Sequence, residues 1–170
     1  MILREAGEQD LFWVHPNAAA LVRELHSGPD VVATLRYPSA FGSLALGEAG
    51  GDRWTFTWEG IVRPRIRVRA EGAQSDLATV ELPWFGWQGR PWLVRFADGR
   101  TFRWAPSGWT NLEYTVTSAD GTVLLRFKQP LLDPAWGRAG KKESHVEIAP
   151  IARSMPELPL LAVLGRYLIR

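Results

Sequence analysis

The run Arg63-Pro64-Arg65-Ile66-Arg67-Val68-Arg69 carries the sharpest chemical meaning in this chain. On an extended strand successive side chains alternate faces, so Arg63, Arg65, Arg67 and Arg69 would stand together at about 6.6 Å spacing, with Ile66 and Val68 opposite. Four guanidinium groups in a row could grip phosphate oxygens in bidentate fashion, or meet an anionic leaflet at about 1 kcal/mol per basic group. The same row also suits a solvated barrel exterior, where each Arg pairs with an acid or stacks on Trp.

Other residue types say less. Nine Trp are present, and Trp84, Phe85, Trp87 and Trp92 crowd near Arg90 and Arg95. That crowding suits packing under a loop, an interfacial anchor or a base-stacking platform. His15, His26 and His145 show no metal-ligand spacing, although His15 could meet His26 through a first hairpin. Gly137-Arg138-Ala139-Gly140-Lys141-Lys142 reads as a solvated basic turn, with weak contact to acidic lipid or nucleic acid as its other use. No nucleophile elbow, phosphate-binding Gly loop or dinucleotide fingerprint occurs. With no Cys there is no disulfide, thiolate or iron-sulfur chemistry, and the acids are too scattered to cage calcium. The expectation is a non-catalytic protein without cofactor or metal.

These residues must be positioned by a folded chain of 170 residues, 46% hydrophobic, which fits one domain with its own core. Twenty basic against eighteen acidic side chains name no partner in bulk. The distribution is uneven: residues 1–52 hold three basic and seven acidic groups, and 53–103 hold nine and five. Nucleic acid is not an expected partner. The N-terminal residues lack the apolar run of about 7 to 15 that a secretory signal needs, and no stretch of about 20 apolar residues exists, so a cytoplasmic chain without a spanning helix is expected.

Turn-forming clusters punctuate the chain every eight to twelve residues or so, between short runs rich in Val, Thr, Phe, Trp and Leu, the rhythm of an all-β protein. Ala97-Asp98-Gly99-Arg100 and Ala119-Asp120-Gly121-Thr122 are hairpin turns by composition. Thr55-Phe56-Thr57-Trp58 and Thr101-Phe102-Arg103-Trp104 lie 46 residues apart, and the same shift lays Asp76–Val80 over Thr122–Arg126. Three units of four strands follow: 10–14, 19–26, 30–37 and 43–48; 53–58, 64–71, 76–82 and 91–96; 101–105, 111–118, 122–128 and 144–149. Residues 17–25 have helix-forming composition, but the repeat makes 19–26 a strand. Residues 157–169 read as a helix, with Pro159 in its first turn and Leu160 to Leu164 apolar on every side. About eleven residues span some 16 Å, half a bilayer core, so enclosure by protein is favoured. A closed antiparallel barrel of about twelve strands has a lumen too wide for its own side chains, and this helix would plug it.

Twelve short strands followed by a terminal hydrophobic helix resemble the tubby C-terminal-like group, which includes the LURP-one-related proteins and the phospholipid scramblases. Trp54-Thr55-Phe56-Thr57-Trp58 followed by the basic run to Arg69, the segment Pro38–Leu44, and Leu158-Pro159-Leu160-Leu161 with Tyr167-Leu168 are similar to small bacterial members. The resemblance spans about residues 10–170 and implies a single barrel domain wrapped around a central helix. In that group tubby proteins bind phosphoinositide headgroups through basic barrel residues, and scramblases are membrane-associated, calcium-responsive and palmitoylated. This chain has no Cys to acylate, no dense acidic loop and no Pro-rich arm, so no ligand residue carries over.

Three function classes follow. The first is a binding module, peripheral at the membrane, contacting acidic phospholipid headgroups through Arg63, Arg65, Arg67 and Arg69. The second is a protein-interaction or scaffold barrel with a protein partner and an exposed apolar patch. The third, a small-ligand carrier or an enzyme, needs an open polar pocket in the lumen.

Overall fold

The computed structural model describes residues 3, 10–17, 21–83, 90–107, 112–129 and 141–169. The alternating runs form strands β1 (Leu11–His15), β2 (Val22–Ser27), β3 (Asp30–Arg36), β4 (Leu44–Ala49), β5 (Asp52–Glu59) and β6 (Arg65–Ala70). They continue as β7 (Ala78–Glu81), β8 (Trp92–Phe96), β9 (Thr101–Ser107), β10 (Glu113–Ser118), β11 (Val123–Lys128) and β12 (Lys141–Ile148). Each strand pairs antiparallel with its sequence neighbours, and β12 returns to β1 to close a twelve-stranded barrel. No strand boundary departs from the sequence expectation by more than three residues. β2 is a strand despite its helix-forming composition, because pairing with β1 and β3 outweighs local propensity.

After a short 3₁₀ turn, Pro150–Ser154, the chain enters the lumen as helix α1, Leu158–Leu168. All of its residues except Arg166 are buried, so a helix apolar around its whole circumference is enclosed by its own sheet. The wall supplies Trp54, Phe56, Ile66, Val68, Phe102, Trp104, Leu125 and Phe127 from inward-facing positions. Helix and wall approach closely at two glycines. A Cβ on Gly47 of β4 would stand 2.6 Å from the Phe56 ring and 2.7 Å from Val163, and a Cβ on Gly165 would enter the Phe127 ring. At the helix start, buried Glu157 is ion-paired with Arg100 from the β8–β9 hairpin. Among the described residues no helix is long and apolar enough to cross a membrane.

Three bulges break the alternation. In β3, Leu25 pairs with Ala33 and His26 with Val31, so Val32 is an extra residue. In β11, Val116 pairs with Leu125 and Thr117 with Val123, so Leu124 is an extra residue and both leucines are buried. The 46-residue correspondence therefore keeps its inward phase up to Leu124 and loses it beyond. In β12, Trp13 pairs with Ser144 and Val14 with Lys142, which leaves Glu143 in the bulge.

Because every pairing is antiparallel, the connections alternate between two ends of the barrel. One end carries the tight turns at 28–29, 50–51, 97–100 and 119–122, where Gly28, Gly50, Gly51, Gly99 and Gly121 take positive φ, together with the seven-residue β6–β7 connection 71–77. The longer connections 37–43, 60–64, 82–91, 108–112 and 129–140 start and finish at the other, together with the C-terminus of α1.

Candidate functional site

The arginine row divides in two. Arg65, Arg67 and Arg69 lie on the outer face of β6, whereas Arg63 falls before the strand, in the turn that opens at Gly60. Gly60 has φ +84°, and a Cβ there would come 2.7 Å from the Arg63 carbonyl oxygen, so the turn needs glycine. The expected row of four on one strand is thus a row of three, with the fourth at the rim.

The three strand arginines face two carboxylates. Arg67 Nε donates to both oxygens of Asp76 at 3.0 and 2.9 Å, and its Nη1 donates to Glu59 at 3.1 Å. Arg69 Nε donates to Asp76 at 2.7 Å, and Arg65 Nη2 reaches Glu59 at 3.4 Å. The Asp76 carboxyl is held below the usual carboxylate range, first by the hydrogen bond from Arg69 and then by that from Arg67. Beside them, Arg95 pairs with Glu81 at 3.4 Å. Much of the positive potential of β6 is neutralised locally.

The rim is different. Arg36 at the end of β3, Arg63 before β6 and Arg90 before β8 are all exposed, and none has a carboxylate partner among the described residues. The acids near this end, Glu59, Glu81, Glu113 and Glu143, are each paired with arginine. The tight-turn end instead presents Asp30, Asp52 and Asp120 without an arginine partner among the described residues, whereas Asp98 there pairs with Arg100. The barrel is therefore electrically polar along its axis.

Apolar side chains gather on the same rim. Phe41, in the β3–β4 connection, is 101% exposed, and Ile61 and Val62, in the β5–β6 turn, are 99% and 68% exposed. Leu21 and Leu44 add partly exposed side chains at this end, whereas only Val31 and Ile151 are exposed large apolar groups elsewhere among the described residues. The two loops share an anchor. The Ser43 carbonyl accepts the Trp58 N–H at 3.2 Å and the Tyr167 hydroxyl at 3.1 Å, tying both loop bases to the last turn of α1. The Tyr167 ring stacks on Phe56 at 5.3 Å and on Tyr37 at 6.4 Å.

The aromatic platform expected around Trp92 is corrected in part. Trp92 faces inward and packs on Trp104 at 4.9 Å and Trp58 at 6.4 Å, because its strand phase matches that of Val94 and Phe96. Trp84, Phe85, Trp87, Trp109, Trp136 and the segment 137–140 lie outside the described residues, as do the side chains of Lys141 and Lys142. His15 and His26 do not meet. His26 is on the outer face with Glu24 at 2.9 Å, and His15 points inward, 3.8 Å from Glu143. Among the described residues no three His, Cys, Asp or Glu side chains converge to hold a metal ion.

A second cluster escaped the sequence reading. At the loop end, inside the barrel, a cavity of about 370 Å³ is lined by Arg23, Tyr37, Gln129, Glu143, Ser144, Arg166 and Ile169. Arg23 shares the inward phase of Leu25 and Ser27, Glu143 is turned in by the β12 bulge, and Arg166 comes from the last turn of α1. Both guanidinium groups meet one carboxylate oxygen: Arg166 Nη2 hydrogen-bonds Glu143 Oε2, and Arg23 Nε lies 2.8 Å from it. The signal available in sequence was that Arg166 interrupts an otherwise apolar helix.

No protein-family model and no curated protein sequence matches the chain. Among solved structures, an Arabidopsis thaliana protein determined by X-ray crystallography matches with a TM-score of 0.60 at 16% identity, over 95% of this chain and 91% of that one. The likeness is one of fold.

Proposed function

We propose that this barrel is a non-catalytic binding module that docks its loop end on an anionic membrane surface. One observation carries the reading: Phe41, Ile61 and Val62 project from adjacent loops on the rim that also holds Arg36, Arg63 and Arg90, all three without carboxylate partners among the described residues. Aliphatic and aromatic tips gain free energy by entering the headgroup boundary, at about 25 cal/mol per Å² of apolar area removed from water. Basic groups beside an anionic leaflet add about 1 kcal/mol each, roughly fivefold in partitioning. The charge polarity of the barrel turns this end toward such a surface and its aspartate-bearing end away.

The reading keeps the lipid contact expected from the arginine row but moves its centre of gravity. Arg63 and, more weakly, Arg65 contribute, while Arg67 and Arg69 are engaged with Asp76 and Glu59 and add little. We also propose kinship with the tubby-like group, supported by the barrel and its enclosed helix.

Co-sedimentation with phosphatidylcholine vesicles, with and without phosphatidylserine, tests the proposal. Retention is expected only with phosphatidylserine, lost on changing Arg36, Arg63 and Arg90 to Gln or Phe41, Ile61 and Val62 to Ser, and nearly unchanged by Arg67→Gln with Arg69→Gln. No retention by either vesicle, equal retention by both, or a loss confined to the Arg67 and Arg69 changes would refute it. Capture of a protein by the intact apolar tips, without vesicle retention, would move the assignment to a scaffold.

A further inference from the structure

α1 fills the lumen from the tight-turn end, and beyond its last turn lies a cavity whose lining mixes Arg23, Glu143, Ser144 and Arg166 with Tyr37 and Ile169. Two guanidinium groups, Arg23 with 22% and Arg166 with 12% of their side chains exposed, share the single carboxylate of Glu143. Together these three side chains carry a net charge of +1 in a partly desolvated place. Each guanidinium has five N–H donors. Arg166 spends Nη2 on Glu143 and Nη1 on the Ile169 carbonyl oxygen at 2.8 Å, which leaves its buried Nε without a hydrogen-bond partner. Arg23 donates through Nη1 to the Val22 carbonyl oxygen at 3.2 Å, and its Nε, although close to Glu143, is not aligned to donate. The Ser144 hydroxyl, on a residue only 2% exposed, is also unpartnered. Among the described residues lining this recess, two guanidinium groups from a strand and the helix end stand against one carboxylate from a bulged strand, an excess of donors that suits an acceptor-only, negatively charged group.

The geometry points to a phosphate oxyanion site in this recess. A tetrahedral phosphate presents oxygens in several directions at once, which matches donors arriving from three elements better than a planar carboxylate does. The cavity volume lies within the range of small-ligand pockets and leaves room for a substituent on the phosphate. The source of the phosphate is either a lipid headgroup entering from the rim or a free phosphate ester. The inference goes beyond membrane docking and does not rest on it, because the site lies inside the barrel and is tested in solution.

The test is a titration of the full chain with inorganic phosphate, followed by amide chemical shifts in ¹⁵N-labelled protein, with sodium chloride at matched ionic strength as control. Saturable shifts at residues 23, 143, 144 and 166 are expected with phosphate alone. Arg23→Gln is expected to weaken phosphate binding at least about tenfold, the usual value of one charge-assisted contact. Ser144→Ala leaves the Arg23–Glu143–Arg166 cluster in place, so it separates binding from a purely structural role: affinity is expected to fall several-fold while the melting temperature stays put. Glycerol 3-phosphate and monomeric dihexanoyl phosphatidic acid then distinguish the sources. Stronger binding of the short-chain lipid supports a headgroup, and equal binding supports a free phosphate ester. Shifts no larger than with chloride, or phosphate affinity unchanged in both variants, would overturn the site, whatever the vesicle result.

Discussion

Replacing Gly165 with Ala probes the enclosed helix through the sign of one number. A methyl at this position would stand 2.5 Å from Phe127 Cε2 and closer still to Cζ, and Phe127 is 0% exposed, with no solvent-side space to swing into. Overpacking a core costs about 1–3 kcal/mol, and contact with a trapped ring belongs at the upper end. Against that, Gly→Ala inside a helix favours folding by about 1 kcal/mol. The net is a loss of about 2 kcal/mol, which for a chain of this size lowers the melting temperature by roughly 4–8 °C. Thermal unfolding followed by far- and near-ultraviolet dichroism reads it directly, and urea titration supplies the free energy. Adding Phe127→Leu to Gly165→Ala should restore part of the loss, with an interaction energy of at least about 1 kcal/mol. A helix lying on the outside of the barrel would show only the propensity gain. A melting temperature raised by a few degrees, or strict additivity with Phe127→Leu, would therefore refute the packing argument.

Two further outcomes can be measured on the same protein. Tyr167→Phe removes the hydroxyl bonded to the Ser43 carbonyl oxygen and should lower stability by about 0.5–1.5 kcal/mol while increasing amide exchange in the 37–43 and 60–64 loops; unchanged exchange there would detach the helix end from the rim. The Asp120 carboxyl is pulled down to about 2 by hydrogen bonds from the Ser118 hydroxyl and then the Thr122 backbone N–H. Since its unfolded value is about 3.9, the turn's contribution to stability is complete above that pH and is lost as pH falls toward 2; a carboxyl ¹³C titration midpoint near 3.9 would contradict the turn geometry.

The strands and the helix were legible because their signals are local. Asp-Gly turns at 98–99 and 120–121, alternation in Arg65–Ala70 and the unbroken apolar run Leu160–Leu164 each need only near neighbours for interpretation. What stayed hidden depended on one-residue irregularities and on partners brought by register. Arg63 keeps the spacing of the arginine row yet leaves the strand, because the Gly60 turn closes onto its carbonyl. Glu59, the last residue of β5, and Asp76, in the β6–β7 connection, reach Arg67 from opposite ends of β6, so the neutralisation of the row is a property of its hairpins. Glu143 faces inward only because β12 bulges beside Val14, and nothing in the residues 141–144 announces that extra position.

The helix therefore has two parts with different work. Leu158 to Gly165 fill the lumen, and their tolerance for change is set by packing against Phe56 and Phe127. Arg166 and Tyr167, in the final turn, are the polar residues the helix can carry because each finds a partner on the wall: one holds Glu143 beside the recess, and the other, fully buried, donates to the Ser43 carbonyl from which the Phe41 loop departs. A helix long enough to plug the rim would abolish the recess, and one a turn shorter would leave both loops without their common anchor. Its length is thus what leaves the recess open at the loop end while still tying the 37–43 and 60–64 loops to the wall.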